Sequence, residues 1–234
     1  MKKASASEAI SATDPLTPLA HRYKSDKGWV HRYTEHYASH FAPWRDKKFA
    51  ILEIGIGGYD RPGEGGGSLR MWKEFFPEAT VIGLDIADKS FIDDDRIITY
   101  RGSQTDSAVL RRIADEHGPL EIVIDDGSHL PAHVVETFGS LFPLLAPKGI
   151  YAIEDIQSSY WPSYGGRTNR NARSTSMALV KNLLDGLNHV EFTNIRYEPS
   201  YTDTHVVAVH AYHNLVFVEK GVNNEPSNVR FDRR

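Results

Sequence analysis

The chain has 234 residues, is 40% hydrophobic and 25% charged, and carries a formal charge of −4. That is the composition of one globular domain with room for a well-buried core. The acid excess and the lack of a strong basic stripe argue against a nucleic-acid scaffold. Zero cysteines exclude disulfides and thiolate metal sites and fit a reducing cytoplasm.

Met1 to Thr13 is polar and Ala/Ser-rich, with no apolar run, so neither a signal peptide nor a membrane span is expected. Residues 1–14 read as a disordered tail and 222–234 as a polar one. Between them, 15–221 reads as a single domain that opens with a helical segment, 15–45. There Tyr33, Tyr37 and Phe41 recur every fourth residue, one helix face turned to the main domain. The polar break Ser25-Asp-Lys-Gly28 interrupts that cover and could lie over a ligand.

A continuous apolar run, Phe49 to Gly55, predicts a central parallel strand. It enters a glycine-rich loop reaching Gly67, then a helix from Ser68, placed near its cap, to Phe76. A second strand, Thr80 to Asp85, ends in an acid. A third, Ile97 to Tyr100, ends at Arg101-Gly-Ser-Gln104. A helix over 107–117, a strand at Ile122, a helix over 131–145, a turn at Pro147-Lys-Gly149 and a strand at Tyr151 follow. Then come a loop from Gln157 to Arg167, a helix over 174–187 and two runs, His205 to His210 and Asn214 to Glu219, whose short link predicts a hairpin. The alternation predicts a doubly wound α/β fold with a C-terminal antiparallel hairpin.

Two strands of this series end in doubled acids. Ile122-Val-Ile-Asp-Asp-Gly-Ser-His129 and Tyr151-Ala-Ile-Glu-Asp155 are joined by one helical crossover, so their carboxyl ends should share an edge. Asp125, Asp126, His129, Glu154 and Asp155 should therefore converge. Four acids and an imidazole point to a hard divalent cation beside a general base; strand-end and helix-cap roles are the plainer alternative. Asp125 points away from its neighbour and reads as support for the cofactor side or strand end.

The first loop holds Gly55 and Gly57, but position 60, where a dinucleotide fingerprint needs a third glycine, is Asp. Pyrophosphate binding is thereby disfavoured. Asp85 stands where a carboxylate would accept ribose hydroxyls, and Gln104 offers an amide to an adenine edge. A glycine loop and a ribose acid without a phosphate cradle suit S-adenosylmethionine (SAM).

Leu52-Glu-Ile-Gly-Ile-Gly-Gly-Tyr59, Gly66-Gly-Ser-Leu-Arg-Met-Trp72, Gly83-Leu-Asp85, Gly102-Ser-Gln104, Ile124-Asp-Asp-Gly-Ser-His129 and Ile153-Glu-Asp155 together resemble class I methyltransferases acting on sugar hydroxyls. The similarity is to the macrolide- and polyketide-sugar O-methyltransferases, and it covers about residues 20 to 220. It implies a Rossmann-like sheet. It implies SAM bound by Glu53, Gly55, Gly57, Tyr59, Ser68, Asp85, Ser103 and Gln104, with Asp125 on the cofactor side. It implies Mg²⁺, or chemically similar Mn²⁺, held by Asp126, Glu154 and Asp155, with His129 as base. Tyr160, Trp161 and Tyr164 offer flat faces for a sugar ring. The macrolide enzymes carry an extra N-terminal domain; this chain reads as a one-domain version, suited to a free oligosaccharide such as a methylated mannose or rhamnose glycan, a polysaccharide precursor or a glycosylated natural product.

A cytoplasmic homo-oligomer, a dimer first, with a saccharide or glycoside substrate and no nucleic-acid or membrane partner is the resulting expectation. Three alternatives stay open: methylation of a catechol-type or other small diol, a non-catalytic SAM-binding subunit, and a nicotinamide-dependent reductase disfavoured by the missing glycine.

Overall fold

The computed structural model describes residues 14–227. Of the expected tails, 1–14 and 222–234, residues 1–13 and 228–234 lie outside the described residues; Asp14 is buried, and Asn223 Nδ2 donates to the Asp203 carbonyl at 2.8 Å, so these two positions belong to the folded part. The chain divides into two compact units, residues 1–104 and 105–234.

The first unit opens with three short helices, α1 (Leu16–Arg22), α2 (Asp26–Trp29) and α3 (Thr34–Phe41). Asp14 holds the start of α1, accepting from the Leu16 amide at 2.8 Å and the Thr17 amide at 3.2 Å. Tyr33, Tyr37 and Phe41 are buried, as their spacing predicts. Tyr37 meets the Trp72 ring edge-on at 5.1 Å and Phe41 does so at 5.8 Å. Aromatic pairs of this geometry add to the burial they accompany.

Strands β1 (Ala50–Ile54), β2 (Thr80–Asp85) and β3 (Ile97–Arg101) pair in parallel, β1 with β2 and β2 with β3. Helix α4 (Gly67–Phe75) links β1 to β2. It packs closely: a Cβ on Gly83 would sit 2.6 Å from Leu69 Cδ1. Ser68 does not cap α4. The cap is Gly66, whose φ of 78° is the left-handed turn that glycine adopts without steric cost, and no side chain completes it.

The second unit contains α5 (Ser107–His117), β4 (Leu120–Asp125), α6 (Pro131–Leu141), β5 (Leu145–Ile153), α7 (Ser176–Gly186), α8 (Tyr201–His205), β6 (Val206–Ala211) and β7 (Val216–Lys220). β4 and β5 pair in parallel, β5 and β7 antiparallel, and β7 and β6 form the expected hairpin. Asp106 caps α5 through the amides of Ala108 and Val109. Two expectations shift here. The helix predicted to 145 stops at Leu141, and Pro143 sits in a 3-10 turn over Phe142–Leu144. The turn expected at 147–149 lies inside β5, where the register jumps from Leu120↔Leu145 to Ile122↔Ile150 and Lys148 takes a φ of 68°. A bulge absorbs the extra residues without ending the strand. No helix among the described residues is long and apolar enough to cross a membrane.

Candidate functional site

In the first unit the loop after β1 is folded tightly on itself. Gly55, Gly57 and Gly58 all have positive φ, and Tyr59 has a φ of 49°. A Cβ on Gly58 would meet the Glu64 carbonyl at 2.3 Å, so only glycine fits there, while a Cβ on Gly57 would meet nothing within 4 Å. Lys89, buried, donates to the carbonyls of Tyr59 at 2.7 Å and Glu64 at 3.0 Å and pins the loop from beneath. The Asp85 carboxylate accepts from the Ile56 amide at 2.9 Å and the Ala87 amide at 2.8 Å, joining the loop to the end of β2. Tyr59 is largely exposed, Ser68 and Gln104 are buried, and Ser103 is half-buried.

Glu53 is sealed off from solvent. Lys27 Nζ lies 3.0 Å from its Oε1, and Trp72 Nε1 donates to its Oε2 at 3.0 Å. The Ser25-to-Gly28 break is thus no surface loop: Lys27 runs inward from α2 to the strand that leads into the glycine loop. Ser25 Oγ is buried and has no hydrogen-bond partner among the described residues. It lies beside the start of α4, where a Cβ on Gly67 would meet the Tyr23 carbonyl at 2.5 Å and the Ser25 amide nitrogen at 3.5 Å. Sequence reasoning marked this break as a cover but did not single out Ser25 or Lys27.

In the second unit, donor atoms of Asp126, His129 and Asp155 all lie within 4.8 Å of one another. His129 Nε2 is 3.7 Å from Asp155 Oδ2, and both side chains are partly open, at 26% and 17%. His129 and Asp155 have φ of 55° and 50°, the left-handed region that costs a residue with a Cβ about 1–3 kcal/mol. Such backbone persists where the surroundings over-determine it, and it collects at functional sites. Glu154 does not belong to this donor group; it is buried, and its amide donates to the Asp125 carbonyl at 3.0 Å.

Asp125 is buried, and Tyr151 OH points at its Oδ2 from 3.4 Å, a long contact. Burial first, then the Asp125 charge, pushes the Tyr151 hydroxyl well above its ordinary range, so it stays a neutral donor. Tyr151 was read only as a strand residue.

The stretch after Asp155 is a closed loop. The Arg167 amide donates to the Ser159 carbonyl at 2.8 Å, Ser159 Oγ lies 2.7 Å from Ser176 Oγ, and the Met177 amide donates to Ser159 Oγ at 2.9 Å. A Cβ on Gly166 would stand 2.2 Å from the Ser158 carbonyl, so the closure requires glycine. Tyr160, Trp161 and Tyr164 keep 39%, 46% and 38% of their surface open, and the Trp161 and Tyr164 rings lie 5.7 Å apart.

The donor set fits a hard cation, since it offers carboxylate oxygens and one imidazole and no sulfur. Two ligands of one Mg²⁺ stand at most about 4.2 Å apart, so a spread within 4.8 Å needs only small side-chain motion. On the cofactor side, an open Gly57 and an unpartnered buried Ser25 hydroxyl fit a polar ligand over the loop.

No family model matches the chain. Mycinamicin VI 2''-O-methyltransferase of Micromonospora griseorubida is 48% identical over 213 residues, which are 90% of this chain and 53% of that protein. The 8-demethyl-8-alpha-L-rhamnosyl tetracenomycin-C 2'-O-methyltransferase of Streptomyces olivaceus is 50% identical over 210 residues, 89% of this chain and 55% of that one. Among solved structures, the MycE methyltransferase of mycinamycin biosynthesis, in complex with Mg and SAH, superposes with a TM-score of 0.90 at 46% identity, covering 94% of this chain and 57% of that one. The chain thus spans about half the length of the curated relatives it matches. Its fold is that of the class I methyltransferases, and its sequence is similar to the sugar O-methyltransferases of the macrolide and rhamnosyl-tetracenomycin type.

Proposed function

We propose that the protein transfers a methyl group from SAM to a sugar hydroxyl, with a divalent cation, Mg²⁺ first, at Asp126, Asp155 and Glu154. The observation that carries this reading is the Asp126, His129 and Asp155 group: donor atoms within 4.8 Å and two of three residues in left-handed backbone. It is supported by MycE, whose structures hold Mg and SAH and in one case mycinamycin VI as well. Glu154 stands outside that donor group here and would supply the third carboxylate of the bound form.

The bound cation supplies Lewis acidity that lowers the hydroxyl pKa, and SAM supplies the electrophilic methyl group. His129 takes the hydroxyl proton at Nε2 while the sugar oxygen attacks the methyl carbon and the carbon–sulfur bond gives its electron pair to sulfur. Asp85, Ser103, Gln104, Ser68, Tyr59 and the glycines Gly55 and Gly57 hold the cofactor; Asp125 serves its side. Glu53 acts on it through the strand it anchors. Tyr160, Trp161 and Tyr164 present stacking faces to the sugar.

A cytoplasmic homodimer completes the reading; light scattering on purified protein tests the assembly. The reaction is tested by labelled-methyl transfer from SAM to a panel of mono- and oligosaccharides, glycosylated polyketides and a catechol, with and without EDTA. Label in a saccharide only when metal is present is expected. Label that survives EDTA would dismiss the cation, and label in the catechol alone would replace the substrate class.

A further inference from the structure

From position 156 to 184 the chain has no Asp or Glu and carries Arg167, Arg170, Arg173 and Lys181, although its overall charge is −4. The three arginines are exposed. None of them has an ion-pair partner among the described residues, which exposed Arg111 and Arg196 also lack; what sets the three apart is their clustering in one acid-free loop. Lys181 is engaged within the loop, its Nζ donating to the Arg170 carbonyl at 2.7 Å.

This cationic segment is tied to the acid-and-imidazole group by the backbone. The Arg167 amide is bonded to Ser159, four residues beyond Asp155, and Ser158 in turn donates to the Asp155 carbonyl at 3.1 Å. Arg173 stands three residues before Ser176, whose hydroxyl touches Ser159 Oγ at 2.7 Å. Arg170 lies between them beside a turn closed by the Ala172 amide on the Asn169 carbonyl at 2.9 Å. One closed loop therefore carries three open aromatic faces and three unpaired guanidiniums.

We infer that the acceptor is a sugar bearing an oxyanion, a phosphate or a carboxylate, with the ring on Tyr160, Trp161 and Tyr164 and the anion on Arg167, Arg170 and Arg173. Guanidinium presents a planar fork that matches both oxyanions bidentately, and such pairs are among the stronger hydrogen bonds. Even with a divalent cation bound, Asp125, Asp126, Glu154 and Asp155 leave an acidic surround, against which these guanidiniums would favour a negative acceptor. The inference rests on the methyl-transfer reading and narrows its substrate class.

Matched acceptors test it: a neutral methyl hexoside, the hexose 1-phosphate, a nucleoside diphosphate hexose and a hexuronate, each in the wild type and in the Arg167→Gln/Arg170→Gln/Arg173→Gln variant. The expected result is a kcat/KM about tenfold or more higher for an anionic acceptor, carried mostly by KM. That ratio falls toward one in the variant and as salt is raised. Preference for the phosphates or for the hexuronate identifies the source of the anion. Equal kcat/KM for neutral and anionic acceptors, or an unchanged ratio in the variant, overturns the inference. Calorimetric titration of hexose 1-phosphate and of the hexuronate, without turnover, separates it from the methyl-transfer reading. Wild-type binding of either, lost in the variant, supports anion recognition even if no saccharide is methylated, and absence of wild-type binding for both overturns it.

Discussion

Lys27 and Glu53 are 1% and 0% exposed, whereas the side chains of His129 and Asp155 keep 26% and 17% of their surface open. Both clusters pair a base with an acid, yet they are held in different ways. In the first unit, the Lys27 ammonium pairs with Glu53, and Glu53 accepts a hydrogen bond from Trp72, inside the packing. Burial makes every partner necessary, because a lone buried charge is costly. In the second, the distance is 3.7 Å, the backbone is left-handed at both residues, and solvent reaches the groups. Held from the backbone and reached by solvent, these side chains are placed where a cation or a substrate can meet them. Residue type alone does not separate a sealed acid from one that solvent and ligands can reach; burial does.

That contrast breaks first at Asp126. Asp126→Asn is expected to lower methyl transfer by roughly 10³-fold or more, the scale of a lost Lewis-acid site, with the thermal midpoint little changed. Turnover is measured after chelation and readdition of Mg²⁺. A variant restored at the wild-type Mg²⁺ concentration would remove Asp126 from the cation site. His129→Ala is expected to lose about 10²- to 10⁴-fold in turnover, the usual worth of a positioned base, while SAM still binds in a calorimetric titration. Unchanged turnover would show that another group takes the proton.

Much of this arrangement was legible in the sequence. Continuous apolar runs marked β1, β2 and β4, because a parallel strand buried on both faces needs them. The doubled acids marked the edge of β4 and β5. What escaped depends on distant or local partners that a linear reading cannot pair. Glu53 looked like a cofactor acid, and nothing in Leu52-Glu-Ile54 announces that Lys27, far upstream, fills its side chain. Positive φ at His129 and Asp155 has only a weak sequence signal, since Asp and His enter the left-handed region more often than other side chains but far less often than glycine. Helix α8 was missed although Ser200 and Asp203 form a capping box at its start, because five residues show no helical period. The acid-free stretch holding Arg167, Arg170 and Arg173 was hidden by a search for basic stripes along the whole chain.

The remaining predictions sharpen the contrast from the stability side. Lys27→Met leaves Glu53 buried without its cation and is expected to cost about 3–5 kcal/mol in urea unfolding. Adding Glu53→Gln should return most of that loss, since two neutral groups of similar size need no mutual compensation. If Lys27→Met alone were neutral, the pair would not be the anchor of β1. Lys73 provides the surface control in the same unit. Its Nζ lies 2.6 Å from both Asp94 and Asp95, shorter than the Lys27–Glu53 contact. Yet these acids are 39% and 76% exposed, and water screens the attraction. Lys73→Met is therefore expected to change stability by only about 0–1 kcal/mol in the same urea titration. A loss at Lys73 as large as that at Lys27 would mean that distance, not burial, ranks these ion pairs, and the distinction between the two clusters would fall with it.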